Sequence, residues 1–171
     1  MSKGEPIPSD DALRIAKKHM IGLACLDTTE KIAIVGSLRR KSEFVKDIDY
    51  QIIGNPYAVE EYFYNKDWEC KSGGNKRYIF KAPSGIYVNC FFTKPECWGA
   101  ALMHNTGPSR YNIRKRMMIK RKGGILNQYG LYMPPEGYED DEVGLEHMAG
   151  RTEQEIYDAL DWTYCEPEDR E

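Results

Sequence analysis

Apolar and polar positions in the first half of the chain repeat with the periods of both helices and strands. Residues 9–11 (Ser-Asp-Asp) are typical of a helix start, and apolar residues follow at helical spacing as far as Leu23. Within this helix, His19 is expected at the surface. Residues 47–53 alternate between polar and apolar side chains, which predicts a strand with one wet side and one dry side. The other predicted elements are three strands and one helix: strands over 31–35, 76–82 and 86–93, and a helix over 58–64. This half is therefore expected to be α+β, with four or five strands.

The pattern changes near Pro95, where we place the boundary between a first lobe over 1–93 and a second lobe over 94–171. Residues 96–103 predict a helix. Near the C-terminus, Thr-Glu-Gln-Glu at 152–155 is a capping box, which predicts the start of a last helix. The second lobe is thus expected to be small and mainly helical.

A strongly basic helix is predicted within residues 108–123, with Ser109 as its cap. Residues 110–122 carry seven basic side chains and no acidic one. Three apolar residues are expected to face the core: Ile113, Met117 and Met118. Four basic residues are expected on the exposed side: Arg110, Arg114, Lys120 and Arg121. Such a helix can follow a phosphate backbone, with Arg114 or Arg116 reaching base edges, although a solvated helix face would show the same composition.

The charge of the chain is divided unevenly along its 171 residues, although the net charge is only −3. Residues 1–130 hold 22 basic and 13 acidic side chains, whereas residues 131–171 hold 2 basic and 14 acidic ones. A basic body favours a polyanionic partner, because neutralised phosphates release counterions. The acidic C-terminal segment includes a run at 139–142 that is expected to form a solvated loop.

Several classes of protein are disfavoured by what the sequence lacks. No apolar run approaches the roughly 20 residues that span a bilayer, and the polar N-terminus does not resemble a signal peptide. We therefore expect a cytoplasmic protein without a membrane partner. Five scattered cysteines without a C-x-x-C pair argue against both a disulfide framework and a thiolate zinc site.

The candidate chemistry lies where two predicted strands meet. Gly36 and Ser37 close an apolar strand, and Asp47-x-Asp49 opens the next one. Residues i and i+2 of a strand point to the same side, so the two carboxylates can bind a pair of hard cations, of which magnesium is favoured. A glycine admits phosphate oxygens close to the backbone, and Arg40 follows to pair with phosphate. A solvated strand end explains a bare D-x-D equally well, but not its combination with the glycine–serine pair.

These residues belong to a series of motifs in a recognisable order. The series contains six segments: GSLRR at 36–40, DID at 47–49, HNTG at 104–107, Asn112 with Arg116, LNQYGL at 126–131 and DWTYCEPEDR at 161–170. In this order the chain resembles the nucleotidyltransferase superfamily and specifically the family X DNA polymerases. The resemblance implies a palm with a mixed sheet followed by a thumb, without the lyase and helix-hairpin-helix regions of larger members. Small two-lobed members of this kind suggest a viral or phage source.

The resemblance also implies a role for each matching residue. Asp47 and Asp49 would hold two Mg²⁺ ions, with Mn²⁺ as a substitute. Residues that would contact the incoming deoxynucleoside triphosphate are Gly36, Ser37, Arg40, His104, Asn105, Gly107 and Asn112. Residues that would contact DNA are Arg110, Arg114, Arg116, Lys120 and Arg121. The implied acceptor is gapped or primer–template DNA, and the protein is expected to act as a monomer.

Two positions depart from the family pattern. In Val88-Asn89-Cys90-Phe91, Asn89 stands where the family has its third catalytic carboxylate. An amide carries no charge and accepts no proton, so nucleotide transfer is expected to be slow. Asn105 stands where the family usually has an aromatic residue, which places discrimination against ribose in doubt.

Three functions remain open at this point. The first is a DNA polymerase that adds deoxynucleotides to a DNA 3′-hydroxyl and releases pyrophosphate. The second is a catalytically weakened module that binds DNA or nucleotide. The third is a nucleotidyltransferase that acts on RNA or on a protein hydroxyl.

Overall fold

The computed structural model describes residues 4–135 and 144–171. The chain divides between Thr93 and Lys94 into two units, which is also where the sequence pattern changes. The acidic run at 139–142 lies outside the described residues. None of the helices in the described part of the chain has the length and apolar character needed to cross a bilayer.

The first unit is built on a mixed sheet of five strands. Its strands are β2 (Lys31–Val35), β4 (Asp47–Ile53), β5 (Glu69–Ser72), β6 (Arg77–Lys81) and β7 (Tyr87–Phe92), in the order β2-β4-β7-β6-β5. β4 runs antiparallel to β2 and parallel to β7. A separate pair joins β1 (Ile7–Pro8) to β3 (Phe44–Val45). The α+β class and a sheet of four or five strands are as predicted, but β5, whose residues are all exposed, is not among the predicted strands.

Three helices accompany this sheet: α1 (Ser9–Ala24), α2 (Gly36–Arg39) and α3 (Pro56–Tyr64). Asp10 and Asp11 lie in the first turn of α1, where their carboxylates interact favourably with the helix dipole. The side chain of Asn55 caps α3 by accepting a hydrogen bond from the backbone N–H of Tyr57. The Tyr50 hydroxyl donates to the carbonyl of Ala16 at 2.7 Å, which ties β4 to α1.

The core of the first unit contains His19, which the sequence analysis placed at the surface. His19 is only 8% exposed, and its ring centroid lies 4.9 Å from that of Trp68 and 5.7 Å from that of Phe63. The reason is helical spacing. The buried residues of α1 follow one another at three- or four-residue steps: Ala12, Ala16, His19 and Leu23.

The second unit combines helices with a small sheet. Its helices are α4 (Trp98–Thr106), α5 (Ser109–Lys120) and α6 (Glu153–Asp158), and its strands are β8 (Ile125–Asn127), β9 (Gly130–Met133) and β10 (Glu146–Ala149). These strands form an antiparallel sheet that was not predicted, because three or four residues are too few to show a period. The predicted capping box is present, with Thr152 and Glu155 bonding each other's backbone N–H groups.

The predicted buried side of the basic helix α5 is wrong, although its basic residues are exposed as predicted. Ile113, Met117 and Met118 are exposed by 56%, 50% and 43%, whereas Tyr111 and Ile119 are buried. Tyr111 and Ile119 lie two turns apart on the same side of the helix. This side of the helix is buried because it packs against other residues of the unit. One of them is Tyr157, whose hydroxyl shares a hydrogen bond with that of Tyr111. Ser109 also does not cap the helix, since Pro108 occupies the capping position.

Candidate functional site

Two carboxylates lie together on one side of the palm-like sheet in the first unit. Ile48 and Tyr50 of β4 are fully buried, while Asp47 and Asp49 alternate with them and are half-buried. Asp47 and Asp49 therefore point to the side opposite the core, as the strand period requires. Asn89 is paired with Asp49 in the register of β4 and β7 and lies between two buried residues of its own strand.

Asn89 contacts Asp49 directly. Its side-chain amide Nδ2 donates a hydrogen bond to Asp49 Oδ1 at 2.8 Å. A carboxylate at this position would instead place two acceptors together, and their negative charges would repel. The amide thus holds the Asp49 side chain in place by attraction. Cys90, the next residue, is fully buried on the other side of the strand and cannot take this role.

Gly36 lies against the same carboxylate. β2 is paired with β4 so that Val35 faces Asp49, and Gly36 follows with a φ of +64°, in the left-handed region. A Cβ placed on Gly36 would collide with Asp49 Oδ2. Only glycine therefore permits both this backbone conformation and this close approach. Gly36 begins α2, in which Leu38 is buried while Ser37 and Arg39 are half-buried; Arg40, which caps the C-terminus of α2, is also half-buried.

The oxygen donors of this cluster fit a hard divalent cation. Asp47 and Asp49 offer carboxylate oxygens on one side of a strand, which is the donor chemistry that magnesium prefers. In the described ranges 4–135 and 144–171, no three His, Cys, Asp or Glu residues come together as a metal-binding group. Within these ranges, a cation at this site would meet two carboxylates, those of Asp47 and Asp49, with the amide of Asn89 beside them.

A second cluster lies within the second unit and involves His104, Asn112 and Arg116. The amide of Asn112 donates to the backbone carbonyl of His104 at 2.7 Å, and Arg116 Nη2 lies 2.5 Å from His104 Nδ1. Because a guanidinium only donates, Nδ1 accepts this hydrogen bond. Burial, followed by the charge of Arg116, lowers the pKa of His104 below its usual value. The imidazole is therefore neutral near pH 7 and carries its proton on Nε2.

Two further predicted nucleotide-binding residues, Asn105 and Gly107, lie close to His104 along the chain. Asn105 is half-buried near the end of α4, and Gly107 is buried with a φ of +64°. A small pocket is lined by His104, Asn112 and Arg116 together with apolar residues and Asn127. The structure thus gathers three predicted residues, His104, Asn112 and Arg116, into one polar cluster.

The basic helix α5 presents its charges as predicted. Arg110, Arg114, Lys120 and Arg121 are all exposed, and Arg116 is half-buried. Arg114 also donates to the backbone carbonyl of Glu171.

Lys115 has a structural role that the sequence analysis missed. Its Nζ lies 4.0 Å from the ring centroid of Trp162, in a cation–π contact, and burial lowers its pKa. The signal that could have revealed it was its position midway between Tyr111 and Ile119 on the buried side.

Comparison with known proteins shows which family and which relatives this chain is similar to. The model of the DNA polymerase beta thumb matches residues 101–171. "Repair DNA polymerase X" of African swine fever virus, isolate Warthog/Namibia/Wart80/1980, is 28% identical over 177 residues, covering 98% of this chain and 97% of the viral protein. "DNA polymerase/3'-5' exonuclease PolX" of Bacillus subtilis strain 168 is 32% identical over 132 residues, covering 74% of this chain and 23% of the bacterial protein.

The fold, the motif order and these relatives agree with one another. The first unit has the mixed sheet expected of a polymerase palm, and the matched thumb region covers most of the second unit. Together, the comparisons support a family X DNA polymerase.

Proposed function

We propose that this protein adds deoxynucleotides to a DNA 3′-hydroxyl and releases pyrophosphate. The observation that carries the proposal is the close approach of Asp49 to Gly36, with Asp47 on the same side of the strand. This arrangement brings a cation-binding pair next to a backbone turn that phosphate oxygens can approach. Relatives named as repair polymerases support a role in DNA repair and a viral setting.

Each residue of the first unit has a defined part in this proposal. Asp47 and Asp49 hold Mg²⁺, two ions in the complete site, and Mn²⁺ can substitute. When bound, these ions neutralise the charge that develops on the transferred phosphoryl group. Gly36, Ser37 and Arg40 bind the β- and γ-phosphates.

The second unit supplies the contacts to sugar, base and DNA. The polar cluster of His104 and Asn112, together with Asn105 and Gly107, lines the incoming nucleotide. Arg116 reads the nascent base pair, and its hydrogen bond to His104 holds it in place. The exposed basic residues bind the phosphate backbone of gapped or primer–template DNA: Arg110, Arg114, Lys120 and Arg121.

The amide of Asn89 is expected to make this enzyme slow. It cannot accept the proton of the primer 3′-hydroxyl. Loss of a general base commonly lowers a rate about 10²–10⁴-fold. A second cation would also be held more weakly, because within the described residues no third His, Cys, Asp or Glu joins Asp47 and Asp49.

A binding module is the second candidate, and the Asn89–Asp49 hydrogen bond favours it. That hydrogen bond stabilises the site without a cation, which suits a protein that binds a DNA end without transferring a nucleotide to it. A transferase that accepts RNA is the third candidate, because Asn105 replaces the aromatic residue expected at that position.

Primer extension separates the three candidates. The full chain is incubated with gapped DNA, or with an RNA primer, and labelled nucleotides in Mg²⁺ or Mn²⁺. Extension of the DNA primer that Asp47→Ala abolishes supports the polymerase, and extension of the RNA primer alone supports the third candidate. Tight DNA binding without extension, by both the natural protein and Asn89→Asp, would refute the polymerase and support the module.

A further inference from the structure

A groove of about 560 Å³ lies on the helical side of the first unit. Its walls come from α1 and from the segment that begins in α3, and its residues include Lys18, His19, Gly22, Tyr62, Lys66 and Trp68. This volume is within the usual range of small-ligand sites, about 300–1,000 Å³. The side chain of Tyr50 points from the sheet towards α1 on this side, opposite Asp47 and Asp49. The groove is therefore separate from the candidate nucleotidyl-transfer site.

Aromatic rings form the floor of the groove. The His19 ring lies edge-on to Trp68, with centroids 4.9 Å apart, and its Nδ1 is 3.3 Å from the Tyr62 hydroxyl. Tyr62 and Trp68 are only half-buried, so parts of both rings face the solvent. A side chain at Gly22 would collide with the Tyr62 ring. Glycine is unfavourable within a helix, and here it lets Tyr62 lie across α1.

Two lysines give the groove a positive charge. Lys18 and Lys66 are both exposed, and Lys66 Nζ lies 4.7 Å from the centroid of the Tyr62 ring. The pKa of His19 is lowered by burial first and then by the charges of these same two lysines. The charges that act on His19, at the floor of the groove, are therefore positive.

We propose that this groove binds a nucleoside phosphate, with its base on Tyr62 and Trp68 and its phosphate between Lys18 and Lys66. Nucleic-acid bases stack on exposed aromatic rings, and paired ammonium groups attract the phosphate. A free nucleotide and a nucleotide unit of a single strand offer the same chemistry. The groove would thus hold a second nucleotide away from the transfer site.

The test follows the tryptophan indole N–H signals of the full ¹⁵N-labelled chain by NMR, without divalent cations. Two probes are titrated separately: deoxyadenosine monophosphate and an eight-nucleotide single-stranded DNA. The Trp68 signal is identified by its loss in Trp68→Phe. We expect both probes to shift the Trp68 signal, and Lys18→Gln or Lys66→Gln to weaken the binding roughly tenfold or more, which is the effect of one charged hydrogen bond.

Lys17→Gln is the matched control, because it removes the same charge from the same helix outside the groove. It should leave the affinity within about twofold, since Lys17 is exposed, does not line the groove, and has its charge screened by salt. A stronger response to the mononucleotide identifies free nucleotide as the ligand, and a stronger response to the oligonucleotide identifies a single strand. The proposal is overturned if Trp68 does not respond, if Lys17→Gln weakens binding as much as Lys18→Gln, or if a poly-glutamate peptide shifts Trp68 equally. None of these readouts depends on polymerase activity.

Discussion

Asn89 donates its side-chain amide to Asp49 across two neighbouring strands, with Nδ2 2.8 Å from Oδ1. The motif resemblance implies a carboxylate at this position in the family, and a carboxylate would repel Asp49 until cations separated the charges. In this protein the amide of Asn89 instead gives one oxygen of Asp49 a hydrogen-bond donor. We infer that the site depends less on metal for its stability than a site of three carboxylates would.

The first prediction concerns metal-linked stability. Asn89→Asp should lower the free energy of unfolding by roughly 1–3 kcal/mol without divalent cations, because an attractive hydrogen bond becomes a charge repulsion. Added Mn²⁺ or Mg²⁺ should then stabilise Asn89→Asp more than the natural protein, because tighter binding to the folded state raises its stability. Urea unfolding with and without MnCl₂ measures both effects.

Asn89→Leu is the control for this prediction, since it removes the hydrogen bond without adding a charge. It should lower stability without gaining a larger response to metal. An equal metal response in Asn89→Asp and in the natural protein would show that residue 89 does not influence cation binding.

The second prediction concerns the approach of Gly36 to Asp49. Gly36→Ala should abolish nucleotide-dependent primer extension, because the new methyl group would displace the Asp49 carboxylate. Gly85→Ala is a matched control, since Gly85 also has a positive φ (+90°) but no atom lies within 4 Å of an added Cβ. Gly85→Ala should cost only about 1–2 kcal/mol of stability from its backbone conformation and leave extension intact. Similar extension by both variants would show that the Gly36 contact is unimportant.

The third prediction concerns pH. The pKa of His104 is lowered in the folded protein by burial and by Arg116, so its neutral form is favoured on folding. The stability due to this neutral form is present above the unfolded pKa of about 6.5. It is lost as the pH falls from there through the folded pKa, because the unfolded chain binds the proton first. His104→Gln should therefore reduce the loss of stability between pH 7.5 and pH 5, measured by urea unfolding.

The control for the pH prediction is His147→Gln, because His147 is exposed. If the free energy of unfolding of His104→Gln depended on pH as it does in the natural protein, the pKa of His104 would not be lowered on folding, and the prediction would be wrong. His19→Gln is expected to act in the same direction as His104→Gln, since burial and two lysines also lower its pKa.

The fourth prediction concerns the exposed apolar side chains on α5. Ile113 and Met117 are surrounded by basic residues and are half or more exposed, so bound DNA would cover them. Ile113→Gln or Met117→Gln should weaken DNA binding without altering the slope of log K against log salt. Lys120→Gln should instead reduce that slope by about 0.9, the value for one phosphate contact on duplex DNA. Fluorescence anisotropy at several salt concentrations distinguishes the two effects. Equal slopes for all three variants would contradict a phosphate contact at Lys120.

Much of the palm-like unit could be predicted because its strands carry strong local signals. The strands at 31–35 and 47–53 have the predicted bounds, and the side shared by Asp47 and Asp49 follows from the strand period alone. The hydrogen bond between Asn89 and Asp49 could not be predicted. It depends on the register of β4 against β7, two strands that are distant along the chain.

The sequence predictions were wrong where the local pattern was compatible with more than one structure. On α5, the spacing of Ile113 and Met117 is as good as that of Tyr111 and Ile119, and packing against partners such as Tyr157 in α6 decides between them. His19 is polar by type, yet its helical position places it among aromatic rings. The strands β8, β9 and β10 are too short for their own period to reveal them. In each case the tertiary partner, rather than the local sequence, determines the outcome.

The most direct test of the proposed function is single-nucleotide insertion into a one-nucleotide gap by the natural protein, Asn89→Asp and Asp49→Asn. Asp49→Asn keeps the shape of the side chain and removes its charge. We predict measurable but slow insertion by the natural protein, faster insertion by Asn89→Asp, and a loss of about a hundredfold or more in Asp49→Asn. Insertion at the same rate by Asp49→Asn and the natural protein would contradict the assignment of this carboxylate, and with it the proposed site.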